Sequence, residues 1–285
     1  MTALTDTLTL TTGADIPVLG LGTWFIDDDR AAEAVREAVR IGYRNIDTAQ
    51  AYGNERGVGE GVRTSGVARE QLFVSTKLAA EIKDHDQAAA AIEKWLATLD
   101  IDYIDLMLIH APQPWSDFRG GDYADGNLQA WRALEEAHRA GRIHAIGVSN
   151  FLEPDLANVL DHADVTPHVN QILVHAGNTP SDLIEHCQEH DILVEAYSPI
   201  AHGEILRNPT LTQIASKYRV SVPQLCIRYT LDLGCVSLPK TADPDHMRDN
   251  ARVDFQISQA DMDALRHLDH RDYGRSASFP VYSGR

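Results

Sequence analysis

The chain has little cysteine, a deficit of positive charge and no long apolar run. Its three cysteines, Cys187, Cys226 and Cys235, are an odd number without C-x-x-C spacing. That pattern excludes a disulfide framework and a dithiol redox motif, and it suits buried thiols in the reducing cytoplasm. Lysine and arginine total 25 against 42 aspartates and glutamates, a formal net charge of -17. Such a surface repels phosphate backbones and anionic lipid, so neither nucleic acid nor membrane is expected as a partner. No apolar stretch approaches the ~18 residues that a membrane span needs. The opening Met1-Thr2-Ala3-Leu4-Thr5-Asp6 lacks the basic and apolar regions of a signal peptide. No ligand cluster stands out among the 13 histidines, so no metal is expected.

What is present is an ordinary globular balance, 44% hydrophobic and 24% charged, over 285 residues. That length suits one α/β barrel of roughly 250 residues. Residues 8–18 read as a hairpin turning at Gly13-Ala14-Asp15. Eight strand-like runs follow, at 19–21, 45–46, 73–75, 104–109, 143–148, 168–172, 193–196 and 236–238. Helical patterns lie between them. Residues 30–41 place Ala31, Ala34, Val35, Ala38 and Val39 on one face before Gly42. Residues 88–99 repeat the pattern, and residues 128–140 end at Gly141 in the same manner. This alternation predicts right-handed βαβ units and a parallel sheet. With eight units and no linker, the expectation is one (β/α)8 barrel domain over residues 1–285. It carries an N-terminal β-hairpin, an extra C-terminal helix at 258–268 and a tail. That tail, 269–285, holds Tyr273, Phe279 and Tyr282; its pattern fits a loop over the barrel mouth or a surface extension equally.

In such a barrel the C-terminal strand ends share one face, where chemistry collects. Read in order, those ends offer Gly22-Thr23-Trp24, Asp47-Thr48 with Tyr52 beyond, Lys77, His110, Ser149-Asn150, Gln171, Tyr197-Ser198 and Pro239-Lys240. Each has a plain structural account. Asp47 could cap a helix, Lys77 could return the chain to solvent, His110 could be a satisfied core residue, and Tyr52 a rim aromatic. Together they make chemical sense. Tyrosine titrates near ~10 and is a weak acid at neutral pH. A nearby lysine lowers that pKa, a carboxylate holds the lysine, and a histidine orients a carbonyl oxygen. The set is a proton-donating site for carbonyl reduction.

At these residues the chain resembles the aldo-keto reductases. The segment Gly42-Tyr43-Arg44-Asn45-Ile46-Asp47-Thr48-Ala49-Gln50-Ala51-Tyr52-Gly53-Asn54-Glu55 is similar to the family's signature, with Asn45 where histidine or serine is more usual. Ser75-Thr76-Lys77, Leu108-Ile109-His110, Gly147-Val148-Ser149-Asn150-Phe151, Val169-Asn170-Gln171-Ile172 and Ala196-Tyr197-Ser198-Pro199 match further motifs in family order. The resemblance covers nearly the whole chain and implies a catalytic tetrad of Asp47, Tyr52, Lys77 and His110. Tyr52 would protonate the substrate oxygen. Gly22, Thr23, Ser149, Asn150, Gln171, Tyr197, Ser198 and Pro199 would hold a nicotinamide cofactor, bound without a G-x-G-x-x-G fingerprint.

The strand-eight segment Pro239-Lys240-Thr241-Ala242-Asp243-Pro244-Asp245-His246-Met247-Arg248-Asp249-Asn250 resembles the family's adenosine-phosphate loop. Lys240 and Thr241 suit a 2′-phosphate, and Asp249 and Asn250 would face the adenine. His246 stands where the family usually has arginine, so NADPH is expected with NADH still admissible. Ala111 replaces a tryptophan of many relatives and would open one wall of the substrate pocket. Trp24 and Trp115 remain as apolar surfaces or as packing residues. The short C-terminal region is similar to that of bacterial relatives resembling diketogluconate reductases. The implied partner is a small-molecule carbonyl, and the implied state a monomer or weak oligomer. Two other readings compete: a cofactor-binding regulatory or sensor protein on the same barrel, and a metal-dependent barrel hydrolase using histidines such as His168 and His202.

Overall fold

The computed structural model describes residues 3–283. Met1 and Thr2 of the leader reading, and Gly284 and Arg285 of the tail, lie outside the described residues. A two-stranded antiparallel hairpin, β1 (Thr7–Thr9) and β2 (Asp15–Pro17), opens the chain. Eight parallel strands follow: β3 (Gly20–Gly22), β4 (Asn45–Asp47), β5 (Phe73–Leu78), β6 (Ile104–Ile109), β7 (Ile143–Ser149), β8 (Val169–Leu173), β9 (Leu193–Tyr197) and β10 (Val236–Leu238). They pair in sequence order, and bridges Leu19 to Ser237 and Gly22 to Lys240 bring the last strand back to the first. The fold is a (β/α)8 barrel. Strand limits match the sequence expectation within one to three residues, because period-2 apolar runs mark existence better than ends. The hairpin plugs the floor: Leu10 and Ile16 pack with Phe73, Leu106, Val169 and Val236 inside the barrel.

The helices are α1 (Asp28–Ile41), α2 (Glu55–Arg63), α3 (His85–Leu99), α4 (Ala124–Arg139), α5 (Glu153–His162), α6 (Ser181–Glu189), α7 (Pro209–Tyr218), α8 (Val222–Asp232), α9 (Pro244–Asn250) and α10 (Gln259–Arg266). The three periodic patterns and the C-terminal one fall on α1, α3, α4 and α10, each starting or ending a few residues from expectation. Caps account for two of those starts: the Asp84 side chain accepts from Gln87 N at 3.0 Å, and that of Ser258 from Asp261 N at 3.3 Å. α2 had no legible pattern, since it holds three glycines, poor helix formers. Packing demands them. A Cβ at Gly59 would sit 1.9 Å from Leu99 O, and one at Gly57 2.1 Å from Asp28 O. α2 therefore lies backbone-close between α1 and the end of α3. That approach sets the loop carrying Tyr52.

The tail folds back across the barrel mouth and ends in α11 (Pro280–Ser283). Tyr273 OH meets His175 Nε2 at 3.0 Å, and Tyr282 OH meets Ser198 Oγ at 3.1 Å. Beneath the tail, Tyr273 and Tyr282 join a second core of Leu211, Ile214, Tyr229, Met262 and Leu265. Of the two accounts of this tail, the loop over the mouth is the observed one. Its aromatics bury area only against surfaces far away in sequence, so no local period exposes the choice.

All three cysteines are buried, and burial pushes their thiols up to about 11 for Cys187 and about 12 for Cys226 and Cys235. Cys235 precedes β10 and so lies at the end of that strand opposite the mouth; its proximity to the strand-end face, left open by the sequence, is not observed. Iodoacetamide at neutral pH is expected to leave the native protein unmodified for hours, because the thiolate is the nucleophile and is scarce here. Rapid labelling of any of the three, read by intact mass, would contradict that.

Candidate active site

Strand alternation aims Asp47, Lys77, His110, Ser149, Gln171 and Tyr197 into the upper barrel. Lys77 is 1% exposed and Asp47 4%. Lys77 Nζ donates to Asp47 Oδ1 at 2.7 Å, to Oδ2 at 2.8 Å and to Thr48 O at 2.8 Å. All three ammonium protons are thus used, which is what a buried lysine needs to remain an ion. Tyr52 lies above this pair, with its ring centroid 5.2 Å from Lys77 Nζ. The His110 ring stands 5.9 Å from that of Tyr52, edge to face, and 5.1 Å from that of Trp115.

The electrostatics correct one expectation. The net shift of the Tyr52 phenol is upward, where the sequence led us to expect it downward. Burial first, and the Asp47 charge second, hold it well above tyrosine's ordinary range. His110 is held well below the usual histidine range by burial and then by Lys77. The site therefore offers a protonated phenol and a neutral imidazole. The imidazole Nδ1 has no partner among the described residues.

The remaining polar groups brace one another. Asn150, in the left-handed region at φ 61°, donates from Nδ2 to His110 O at 3.0 Å and to Ser149 Oγ at 3.1 Å. Its Oδ1 accepts from Tyr197 OH at 2.7 Å. Ser149 Oγ donates to Gln171 O at 2.8 Å. Gln171 gives both Nε2 protons to carboxyl groups below it, Asp47 Oδ1 and Glu195 Oε2, each at 2.9 Å. Its carbonyl oxygen is left for the cavity that Gln171 lines. Thr23 Oγ1 donates to Asp47 O at 2.9 Å, joining the first strand end to the second.

These residues open into one cavity of about 710 Å³. Its inner end is Asp47, Tyr52, His110, Ser149, Asn150 and Gln171; Ser198, Pro199, Ile200 and His202 continue along one side towards Lys240. The other side is aromatic. Trp24 stacks on Phe25 at 4.3 Å and meets His202 and Phe279 edge to face at 5.3 and 4.9 Å. An elongated ligand with a carboxamide at one end and anionic groups towards Lys240 fits these donors and acceptors.

Other residues singled out in the sequence lie outside this lining. Ala111 is fully buried and does not line the cavity; its carbonyl accepts from Lys83 Nζ at 2.8 Å. Trp115 closes the wall that Ala111 was expected to open. Thr241, His246, Asp249 and Asn250 are outside the cavity lining. His246 is exposed in the first turn of α9, where Asp243 Oδ1 accepts from its backbone N at 3.3 Å. Asp249 is exposed, and Asn250 is buried at the end of α9. Among the described residues, no group of three or more His, Cys, Asp or Glu side chains could hold a metal ion, and no helix is long and apolar enough to cross a membrane.

Sequence reasoning gave no role to Asn54, Phe25 or Glu195, and considered His202 only as a metal ligand. Asn54 Nδ2 donates to Thr23 O and Ile26 O, both at 2.9 Å, and its Oδ1 accepts from Thr48 Oγ1 at 2.9 Å, tying the first two loops together. Glu195 carried a usable signal: it is acidic, two residues before Tyr197, and so on the barrel-facing side of β9.

A family model described as the aldo/keto reductase family matches residues 18–270. The glyoxal reductase of Bacillus subtilis (strain 168) is 42% identical over 270 residues, covering 94% of each chain. An aldo-keto reductase of Mycobacterium avium (strain 104) is 35% identical, with 92% of this chain and 89% of that one covered. Among solved structures, an aldo/keto reductase from Brucella melitensis superposes with a TM-score of 0.88 at 38% identity, over 94% of this chain and 99% of that one. The Bombyx mori aldo-keto reductase in complex with NADP gives 0.85 at 34% identity, over 97% and 98%. With the motifs in order on a (β/α)8 barrel and the model matched over most of its length, the chain is an oxidoreductase belonging to the aldo/keto reductase family.

Proposed function

We propose that the chain reduces aldehydes, ketones or keto-sugars to alcohols, acting as one unit over its length in the cytoplasm. The carrying observation is the Asp47–Lys77 ion pair buried beneath a protonated Tyr52, with His110 beside it in the same cavity. When bound, the reduced nicotinamide supplies hydride to the carbonyl carbon. Tyr52 gives its phenolic proton to the carbonyl oxygen. His110, neutral, donates a hydrogen bond that orients that oxygen. Gln171 turns its carbonyl oxygen to a carboxamide N–H, with Ser149 and Asn150 beside it. Tyr197 offers its ring to the nicotinamide, and the Trp24 and Trp115 rings exclude water. A glyoxal reductase among the relatives and an NADP complex among the neighbours support this reading.

The direct test mixes protein with NADPH or NADH and follows nicotinamide absorbance across a panel of aldehydes and ketones. Saturable consumption that needs both partners is expected. Tight cofactor binding with no turnover on any carbonyl would favour a regulatory protein on the same barrel instead.

Cofactor choice turns on Lys240, Thr241 and His246. The preference we assign is NADPH, since Lys240 lines the cavity and brings a positive charge to it. Arginine meets a 2′-phosphate with a fixed, permanently charged fork, and histidine with a single donor that is only partly charged near neutrality. His246→Arg is expected to tighten NADPH roughly ten- to a hundredfold, the worth of one charge-assisted hydrogen bond, and to leave NADH unchanged. Fluorescence titration of both cofactors reads this. Equal tightening of the two would show that position 246 does not meet the 2′-phosphate.

A further inference from the structure

Below the tetrad the barrel interior is polar where an apolar layer would serve packing alone. Glu195, at the middle of β9, is completely buried. It is in register with Gln171 on β8 and Val236 on β10. Its Oε2 accepts from Gln171 Nε2, the nitrogen that also donates to Asp47 Oδ1. A continuous buried chain thus runs from Glu195 through Gln171 and Asp47 to Lys77. The charged groups acting on Glu195 are Asp47 of β4 and Lys77 of β5, and its neutral polar neighbours are Asn45 of β4 and Gln171 of β8. On β10 the register partners of β9 include apolar Val236 and Leu238.

Glu195 Oε1 and Asn45 Oδ1 are both buried acceptors without a partner among the described residues. An ionised Glu195 has no proton to offer Asn45 Oδ1, and its own Oε1 stays unpaired. A protonated Glu195 has one, and its carboxyl lies beside the Asn45 amide. Charge points the same way. With Glu195 ionised, two carboxylates would share one lysine in a site closed to water. Burial first, and then Asp47, outweigh the opposing effects of Gln171, Lys77 and Asn45 and push the Glu195 carboxyl up to about 7.

We propose that Glu195 is a positioning residue for the reaction: as a neutral acid it fixes the Gln171 amide with its oxygen towards the cavity and leaves the Asp47–Lys77 pair electrically balanced beneath Tyr52. The proposal rests on the carbonyl-reduction reading above. Once Glu195 loses its proton, a second negative charge bears on the pair and on the phenol. Tyr52 becomes a weaker acid, and the chemical step slows.

The test is the pH dependence of kcat with saturating NADPH and a good aldehyde, for wild type and Glu195→Gln. Glutamine keeps an acceptor for Gln171 and a donor for Asn45 but cannot ionise. Wild-type kcat is expected to fall on the order of tenfold as pH rises through neutrality, a Coulomb effect at close range. The variant is expected to keep the low-pH rate and to lose this limb. Glu55, a second buried carboxyl pushed up to about 7, is present in both proteins, so the difference between profiles isolates Glu195. A carboxylic-acid C=O stretch present in wild type and missing from the variant should vanish at the same midpoint. An alkaline limb unchanged in Glu195→Gln would overturn the proposal while leaving carbonyl reduction intact. A wild-type profile flat from about pH 6 to about pH 8 would overturn it even if the variant failed to fold. Failure to reduce any carbonyl would instead remove the underlying reading, and this proposal with it.

Discussion

Tyr52→Phe is expected to lower kcat by roughly 10²–10⁴, the usual worth of a positioned general acid, and to leave cofactor affinity unchanged. The substitution deletes one hydroxyl and keeps the ring, so the edge-to-face contact with His110 and the contact with Trp24 survive. The bonds that tie these loops together run through Thr23, Thr48 and Asn54 and do not involve that hydroxyl. The loss therefore belongs to the chemical step, with kcat and kcat/KM falling together. The pH dependence has a definite sign. Burial and Asp47 hold the phenol above its ordinary range, so the acid form persists throughout the neutral region. Any fall in wild-type rate near neutrality must then come from a group other than Tyr52. A Tyr52→Phe protein that kept wild-type turnover on a good aldehyde would refute the assignment of the proton donor.

Lys77→Met should damage both rate and stability. Methionine replaces the aliphatic stem but none of the three hydrogen bonds that Lys77 makes to Asp47 and Thr48. Asp47 is then left as a buried carboxylate whose only other side-chain donor among the described residues is Gln171 Nε2. Breaking one side of a buried pair costs about 3–5 kcal/mol. For a chain of this length that lowers Tm by on the order of 10 °C. The rate falls because Asp47, no longer balanced, faces the phenol directly and makes it a poorer acid. His110 moves oppositely: Lys77 is one of the two causes holding it below the usual range, so its pKa rises in the variant. Calorimetry and a pH–rate profile read these effects separately. An unchanged Tm would mean that Asp47 and Lys77 are not the buried pair described, whatever the rate did.

The two variants differ in what they leave behind. Tyr52→Phe removes a group whose work is done only with substrate present. Lys77→Met leaves a charge buried with or without substrate. Only the second should therefore appear in a melting curve of the free protein.

Much of this was legible along the chain. Barrel strands are short apolar runs, and α1, α3 and α4 bury one face each, so their periods survive in the residue order. The strand ends converge by topology alone, so Asp47, Lys77, His110, Ser149, Asn150 and Gln171 could be placed at one mouth before any coordinates. The rest depended on contacts between segments distant in sequence. α2 carries glycines that argue against a helix, and only the backbones of α1 and α3 pressing on it show why they are there. The tail's aromatics have no period because their partners are Trp24, His175 and Ser198. Ala111 is buried with its carbonyl accepting from Lys83 Nζ, a contact to a segment 28 residues away that no local pattern reveals. The charge state of the site was the least readable part. A residue list names a lysine near a tyrosine, but whether that lysine acts as a cation depends on how closely Asp47 chelates it. No local pattern in the chain encodes a distance across the barrel.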